Sequence, residues 1–245
     1  MRKFPPEFAD LLTPHGRDIL NGESESARAL SGRSKKSFVI LEDLIEKGKA
    51  DCCSKLLDNH IYPLLVPIRR AIPRESISGM KENYGEVLTK TVRAKTAYLK
   101  KRSARSFRAA EEIGLLDMMG SESFIRFVES VSGLALDHSD WHYQVLCYEQ
   151  GDYAGPHNDH HPENDDYREG FVDFHIMFSN EAVAHHWLVY QSKWHFSEIA
   201  NINLQGAVSV YKLPFWHYTT PLAAKPGRER EARRWLLLGT FRLLR

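Results

Sequence analysis

The sequence is poor in cysteine and lacks any long apolar run. Only three cysteines occur among its 245 residues, and two of them, Cys52 and Cys53, are adjacent. This argues against a disulfide-stabilised secreted domain, and a reduced, cytoplasmic protein is expected. No stretch approaches the roughly 18 apolar residues that a membrane-spanning helix needs, and the first residues lack the apolar centre of a signal peptide.

The sequence also lacks an excess of charge of either sign. Its 33 basic and 32 acidic residues give a formal net charge of +1, so the whole chain has no strong attraction to nucleic acid or to a membrane surface. One local segment, 87–110, contains eight basic residues and no acidic residue. We interpret it as a solvated helical face that acids elsewhere balance, and we expect no nucleic-acid partner.

Apolar residues recur at helical spacing through the first half of the chain. The spacing predicts helices over 37–49, 53–72, 103–119 and 121–133. Pro63 and Pro67 are expected to bend or split the second helix. Ser103 is predicted to cap the third helix. Ser121 is predicted to open the fourth helix, where Glu122 and Ser123 offer cap chemistry, and Gly133 is predicted to end it.

After about Asp140 the pattern changes to short segments rich in aromatic and β-branched residues. The segments are 141–150, 169–180, 185–191, 206–214 and 233–241. Gly, Asp, Asn and Pro separate them, and several strands at short spacing favour a barrel or sandwich. We therefore divide the chain into a helical region, 1–135, and a β region, 136–245.

Histidine is concentrated in the β region, where ten of the twelve residues lie between His138 and His217. Such clustering is typical of a metal site or an acid–base site. Most of these side chains are nevertheless interpreted as ordinary exposed residues. This group includes His160, His161, His185 and His186.

A His-x-Asp motif at His157 and Asp159 follows a Gly-Pro pair. On an extended strand, residues two apart project to the same side, so both side chains could reach one cation. His217, just after the last but one strand-like segment, is the natural third ligand. Two histidines and one carboxylate that leave open positions are typical of non-haem iron(II) oxygenases. Because His-x-Asp is common by chance, a chain without metal and a zinc site that includes His160 and His161 remain alternatives.

Four stretches of the β region carry a further pattern: 145–159, 171–180, 187–190 and 214–241. The first contains a tyrosine, a glycine turn and the His-x-Asp pair, and the last contains His217 and a strand led by arginine. The set resembles the Fe(II)/2-oxoglutarate-dependent dioxygenases, in particular their prolyl-4-hydroxylase-like branch. The resemblance covers roughly 141–243. It implies an α+β fold with a double-stranded β-helix (jelly-roll or cupin-like) core, against which the N-terminal helical region packs.

The same resemblance implies a set of site residues. The two histidines and the aspartate above become catalytic ligands of Fe(II), with 2-oxoglutarate and O2 as co-substrates. Arg234 would bind the distal carboxylate of 2-oxoglutarate, because a guanidinium offers a bidentate fork to a buried carboxylate. Tyr148 would line the same pocket. Arg233 and Arg228 remain rivals of Arg234 for the carboxylate.

The implied activity is an oxygenase reaction that converts 2-oxoglutarate to succinate and oxidises a second substrate. Asp159 favours hydroxylation, since halogenating relatives lack this carboxylate. The expected substrate is a small molecule, an amino acid or a peptidyl residue. Two other functions remain open: a non-catalytic or zinc-binding β-barrel module, and a cupin-like metalloenzyme that needs no 2-oxoglutarate.

Overall fold

A computed structural model describes most of the chain. The described residues are 2–28, 30, 36–71, 91–159, 170–192 and 195–244, apart from the side chains of residues 70, 138–142 and 195. The predicted ligands of a zinc site at His160 and His161 therefore lie outside the described residues.

The described part contains five α-helices, all before residue 136. They are α1 (Pro14–Leu20), α2 (Lys47–Leu56), α3 (Arg105–Glu112), α4 (Leu115–Met119) and α5 (Glu122–Ser132). The predicted start at Ser121 and end at Gly133 of the last helix are confirmed, but the cap is Ser121 itself and not Glu122 or Ser123. The Ser121 hydroxyl accepts a hydrogen bond from the backbone N–H of Phe124, and Gly133 ends the helix in the left-handed conformation at φ 65°.

Thirteen strands are described, and each of the five predicted strand segments overlaps one of the longer strands. The strands are β1 (Phe38–Leu41), β2 (Val66–Ala71), β3 (Thr91–Tyr98), β4 (Leu136–Tyr148), β5 (Tyr153–Ala154), β6 (Phe171–Ser179), β7 (Val183–His185), β8 (Trp187–Ser192), β9 (His195–Asn201), β10 (Ala207–Leu213), β11 (His217–Thr219), β12 (Ala223–Ala224) and β13 (Arg234–Leu243).

Antiparallel pairing joins the strands into one large and two small sheets. The large sheet has the order β1-β10-β6-β13-β4-β3-β2, with β5 paired to β3. The small sheets have the orders β11-β8-β9 and β12-β7. The strands curl into a half-barrel with helices beside it, so the predicted α+β fold with a double-stranded β-helix core is confirmed. Strands β1 to β3 come from the first half of the chain, and the division at residue 136 stays a prediction.

Three of the predicted helices are wrong in part. Residues 37–49 begin as strand β1, because Phe38–Leu41 completes the edge of the large sheet beside β10. The helix predicted over 53–72 ends near Pro63, and Val66–Ala71 pairs with β3 instead. In both cases tertiary pairing overrides the local helical pattern. Ser103 is not a cap, since α3 begins at Arg105 after Ala104.

Two further features of the first half bear on earlier predictions. The basic segment 87–110 is strand β3 and helix α3 where it is described, and not a continuous helical face. Two of its basic side chains pair with acids: Arg93 with Asp152 at 2.9 Å and Lys95 with Glu149 at 2.7 Å.

Among the described residues, no helix is both long and apolar enough to cross a membrane.

A cluster of aromatic rings holds the helices against the outer face of the large sheet. Phe8 precedes α1, Phe124 and Phe127 lie on α5, and Phe174 lies on β6; all four are fully buried. Their rings meet edge to face at centroid distances of 5.0 to 6.2 Å, an arrangement that aromatic pairs favour. Because side chains alternate along a strand, the neighbours of Phe174 on β6 face the interior of the half-barrel.

Candidate functional site

Three candidate metal ligands converge at the mouth of the half-barrel. Backbone hydrogen bonds pair His157 with His217, at 3.0 and 2.9 Å in the two directions. Asp159 Oδ1 lies 3.4 Å from His157 Nε2, and Asp159 Oδ2 lies 3.6 Å from His217 Nε2. One ligand atom from each residue lies within 4.8 Å of those of the other two. The three side chains therefore offer two nitrogens and one carboxylate to a single cation.

Backbone carbonyls orient both imidazole rings. His157 Nδ1 lies 2.6 Å from the carbonyl oxygen of Gly155, and His217 Nδ1 lies 3.0 Å from that of Phe215. If Nδ1 donates to the carbonyl in each case, the lone pair is on Nε2, the atom that faces Asp159. Burial, together with the nearby His157, lowers the pKa of His217 to about 4, so His217 is neutral at pH 7 and suited to a divalent cation.

Asp159 reaches the two histidines by a route that the sequence analysis did not predict. The residue is not on an extended strand with His157; its backbone is left-handed, at φ 52°. Asp and Asn tolerate this conformation better than other non-glycine residues. The prediction that the pair shares one face of a strand is therefore wrong, although the two side chains do meet.

Arg234 lies inside the half-barrel. Its side chain is 2% exposed, and its Nε donates to the carbonyl oxygen of Ile202 at 2.6 Å. The guanidinium carbon lies 5.6 Å from the ring centroid of Tyr148. Burial lowers the pKa of Arg234, while Tyr148 and Tyr211 oppose the shift. Among the described residues no carboxylate pairs with this buried cation, which leaves it available to an anion.

Arg233 lies on the opposite face of β13, because neighbouring residues of a strand point to opposite sides. Its guanidinium lies over the ring of Tyr62 at 4.2 Å, and its Nε lies 3.9 Å from Glu149 Oε1. Arg228 pairs with Glu231 at the surface, at 2.8 Å. Of the three rival arginines, only Arg234 lines the cavity with the candidate metal ligands.

The cavity has a volume of about 170 Å³ and also contains polar side chains that the sequence analysis did not single out. Asp173 and His175 project from β6, and Tyr211 projects from β10. Burial, with a contribution from Asp159, raises the pKa of Asp173 to about 8. Burial, with the nearby Arg234 and His217, lowers the pKa of His175 to about 3. Period-two alternation along 171–179 would have identified both as inward-facing.

His186 is a second correction among the histidines. It was predicted to be exposed together with His185, but only His185 is exposed, and His186 is fully buried. Its ring centroid lies 5.1 Å from that of Tyr148, and the nearby Arg234 adds to burial in lowering the pKa of His186. The adjacent histidines point to opposite sides at the end of β7. Because both residues are histidine, the residue type alone does not show which of them is buried.

No family model matches the sequence, and no curated protein matches it. Solved structures do match the fold. An oxidoreductase of the 2OG-Fe(II) oxygenase family from Burkholderia pseudomallei is 14% identical, with a TM-score of 0.56 over 98% of this chain and 93% of that chain. A prolyl 4-hydroxylase from Phytophthora capsici is 12% identical, with a TM-score of 0.57 over 98% and 70%. A prolyl-4-hydroxylase from Pseudomonas putida is 12% identical, with a TM-score of 0.50 over 85% and 93%.

These similarities confirm, at the level of the fold, the resemblance to prolyl-4-hydroxylase-like and related oxygenases. At identities of 12–14% the likeness concerns the fold alone, and a fold hosts many activities. The activity has to be argued from the site.

Proposed function

We propose that this chain is a non-haem Fe(II)- and 2-oxoglutarate-dependent oxygenase that hydroxylates a small molecule, an amino acid or a peptidyl residue. The observation that carries the proposal is one cavity that holds both a His-Asp-His set and a buried arginine without a carboxylate partner among the described residues. The first suits a divalent metal with open positions, and the second suits a dicarboxylate.

In this proposal His157, Asp159 and His217 bind the metal. Their donor chemistry fits iron(II), since two imidazole nitrogens and one carboxylate oxygen are the donor set of non-haem iron(II) oxygenases. The carbonyls of Gly155 and Phe215 hold the rings so that each Nε2 faces the carboxylate. Iron(II) bound there would supply the redox chemistry with O2, with one oxygen atom going to succinate as 2-oxoglutarate loses CO2 and the other going to the substrate.

Arg234 binds the distal carboxylate of 2-oxoglutarate. The strong burial of its guanidinium excludes water, which strengthens the interaction with a carboxylate. Tyr148 lies beside it, and burial raises its pKa to about 12, so its hydroxyl stays protonated and can donate to the same carboxylate. Arg233 has no role in this pocket, because it lies on the other face of β13.

We also propose a cellular compartment and a substrate class for the protein. All three cysteines are free, which fits a reducing compartment such as the cytoplasm. Two of the similar solved structures are named as prolyl 4-hydroxylases. That likeness supports a small-molecule or peptidyl substrate for this chain and does not select proline.

The test is anaerobic binding followed by turnover. Purified protein is titrated under argon with Fe(II) or Mn(II) and then with 2-oxoglutarate in a calorimeter. We expect one equivalent of each to bind, with 2-oxoglutarate binding dependent on the metal, and succinate to form slowly after O2 is admitted. Tight retention of zinc together with no binding of 2-oxoglutarate would instead support a non-catalytic barrel module. Metal-dependent activity that does not require 2-oxoglutarate would support the cupin-like alternative.

A further inference from the structure

Asp173 is a buried carboxyl group that the proposed reaction does not use. It lies on the inner face of β6, is 8% exposed and lines the same cavity as the candidate metal ligands. The hydroxyl of Thr240 donates to its Oδ1 at 2.6 Å. Among the described residues, no lysine or arginine pairs with it. Burial without a cationic partner favours the neutral form of this carboxyl group, so its ionisation requires a positive group in the cavity.

A second buried polar atom lies near Asp173. Asp173 Oδ2 lies 4.0 Å from Nε2 of His175. This Nε2 is buried and has no hydrogen-bond partner among the described residues. A separation of 4.0 Å is too long for a direct hydrogen bond, but a ligand nitrogen to one side of the line that joins the two atoms could lie within about 3 Å of both. Two buried polar atoms therefore face a space that suits a ligand donor.

Asp173 and Arg234 lie at different levels along the strands that line the cavity. Asp173 pairs with Tyr211 on one side and with Thr240 on the other. The ring of Tyr211 lies 5.3 Å from that of His217, so Asp173 is close to the candidate metal centre. Thr240 follows Arg234 by six residues on β13, which corresponds to about 20 Å along the strand. Asp173 and Arg234 are therefore offset along the strands at the level of the backbone, although both side chains line one cavity.

The sum of the charges in the cavity indicates the charge of this ligand. In the proposed complex, the charges of Arg234, Asp159, a divalent metal and doubly ionised 2-oxoglutarate add up to zero. A neutral Asp173 leaves this sum unchanged, whereas an ionised Asp173 adds one uncompensated negative charge to the cavity. A neutral ligand would leave this charge in place, whereas a cation would neutralise it and favour the ionised form that burial disfavours.

We infer that Asp173, together with His175, forms a subsite for a cationic group of the substrate, so that the oxidised molecule or residue carries an amine or a guanidinium. This inference rests on the proposed function for the charge balance and for the identity of the ligand as substrate. It deepens that function by naming a class of substrate: basic amino acids, basic peptidyl residues and other small amines or guanidines. A neutral prolyl ring is outside this class.

The test measures binding, which does not require turnover. Charged ligands and their neutral isosteres are titrated into Mn(II)- and 2-oxoglutarate-loaded protein under argon: L-arginine against L-citrulline, L-lysine against L-norleucine, pentylamine against 1-pentanol, and the N-acetylated amides of the amino acids. We expect at least one cation to bind on the order of 10- to 100-fold more tightly than its isostere, the range of one charge-assisted hydrogen bond. Asp173→Asn should remove this preference and leave the affinity for 2-oxoglutarate within about twofold of wild type.

Two further variants separate the subsite from general effects on folding. Asp58→Asn makes the same chemical change at a partly buried carboxyl group that accepts from Trp235 Nε1 on the outer face of the sheet, and it should keep the preference for cations. Thr240→Val removes the hydrogen bond to Asp173 and keeps the charge, so it should also keep the preference. If Asp173→Asn does not fold, Asp173→Glu takes its place and should keep the preference while it changes the ranking of ligands by size.

The possible outcomes are distinct. No preference for any cation, or a preference that Asp173→Asn leaves intact, overturns the subsite. A preference that depends on Asp173 in a protein that binds no 2-oxoglutarate supports a cation site but overturns the proposed oxygenase. Normal binding of 2-oxoglutarate with equal affinity for charged and neutral ligands leaves the oxygenase in place and overturns the subsite alone.

Discussion

Arg234 and Arg233 are adjacent in the sequence and lie on opposite faces of one strand, so they provide a matched pair of variants. Arg234→Met keeps most of the side-chain volume and removes the buried cation of the cavity. Loss of one partner of a buried, hydrogen-bonded charge pair costs about 2–5 kcal/mol. At about 1.4 kcal/mol per tenfold change in Kd, the Kd for 2-oxoglutarate should rise roughly 30- to 4000-fold.

Arg233→Met should lower the stability of the protein and leave its affinity for 2-oxoglutarate unchanged. The guanidinium lies over the ring of Tyr62 and near Glu149, and the side chain is 25% exposed. A cation–π contact of about 0.5–1 kcal/mol and a weak ion pair of up to about 1 kcal/mol are lost. The expected result is a decrease of about 2–4 °C in Tm for each 1 kcal/mol lost, with the Kd for 2-oxoglutarate unchanged within about threefold.

The assay is calorimetric titration of 2-oxoglutarate into metal-loaded protein under argon, with thermal unfolding of both variants in parallel. Unfolding checks that Arg234→Met is folded before its Kd is interpreted. The assignment of the co-substrate pocket is refuted if Arg234→Met binds 2-oxoglutarate as the wild type does. It is equally refuted if Arg233→Met loses binding without loss of stability, since the side chain on the outer face would then be the one that matters.

Three more predictions follow from contacts elsewhere in the chain. His217→Ala should abolish stoichiometric binding of Fe(II) or Mn(II), measured by metal analysis after desalting, while far-UV circular dichroism stays unchanged. Under native conditions a thiol reagent should label Cys52 alone, since the other two cysteines are buried and burial raises the pKa of both thiols; mass spectrometry that finds two or three labels would contradict the packing. Burial raises the pKa of Glu149, but hydrogen bonds from Lys95 and Tyr62 outweigh it and hold the pKa below its usual value of 4.5. The ionised form therefore contributes stability above pH 4.5 that is lost as pH falls through the lowered pKa, and Glu149→Gln should flatten this acid limb in urea unfolding.

Local sequence predicted the β region well and the first half less well. The five strand segments between β4 and β13 were identified because short aromatic and β-branched runs between turn residues are a local signal. Helix α5 was also predicted at both ends, since its cap residues are adjacent to it in sequence. In contrast, Phe38–Leu41 and Val66–Ala71 look helical in isolation. They are strands because each pairs with a strand outside its own segment, β10 for the first and β3 for the second.

For the candidate site, the sequence alone determined the residue types and their order: a His-x-Asp pair, a later histidine and an arginine-led final strand. Only the tertiary structure decided that Arg234 faces the cavity while Arg233 lies on the outer face, that His186 is buried, and that Asp159 turns into place with a left-handed backbone. It also brought Asp173 beside the candidate metal ligands. The physical reason is that a motif records neighbours along the chain, whereas the cavity is formed by hydrogen-bonded register between strands that are distant in sequence.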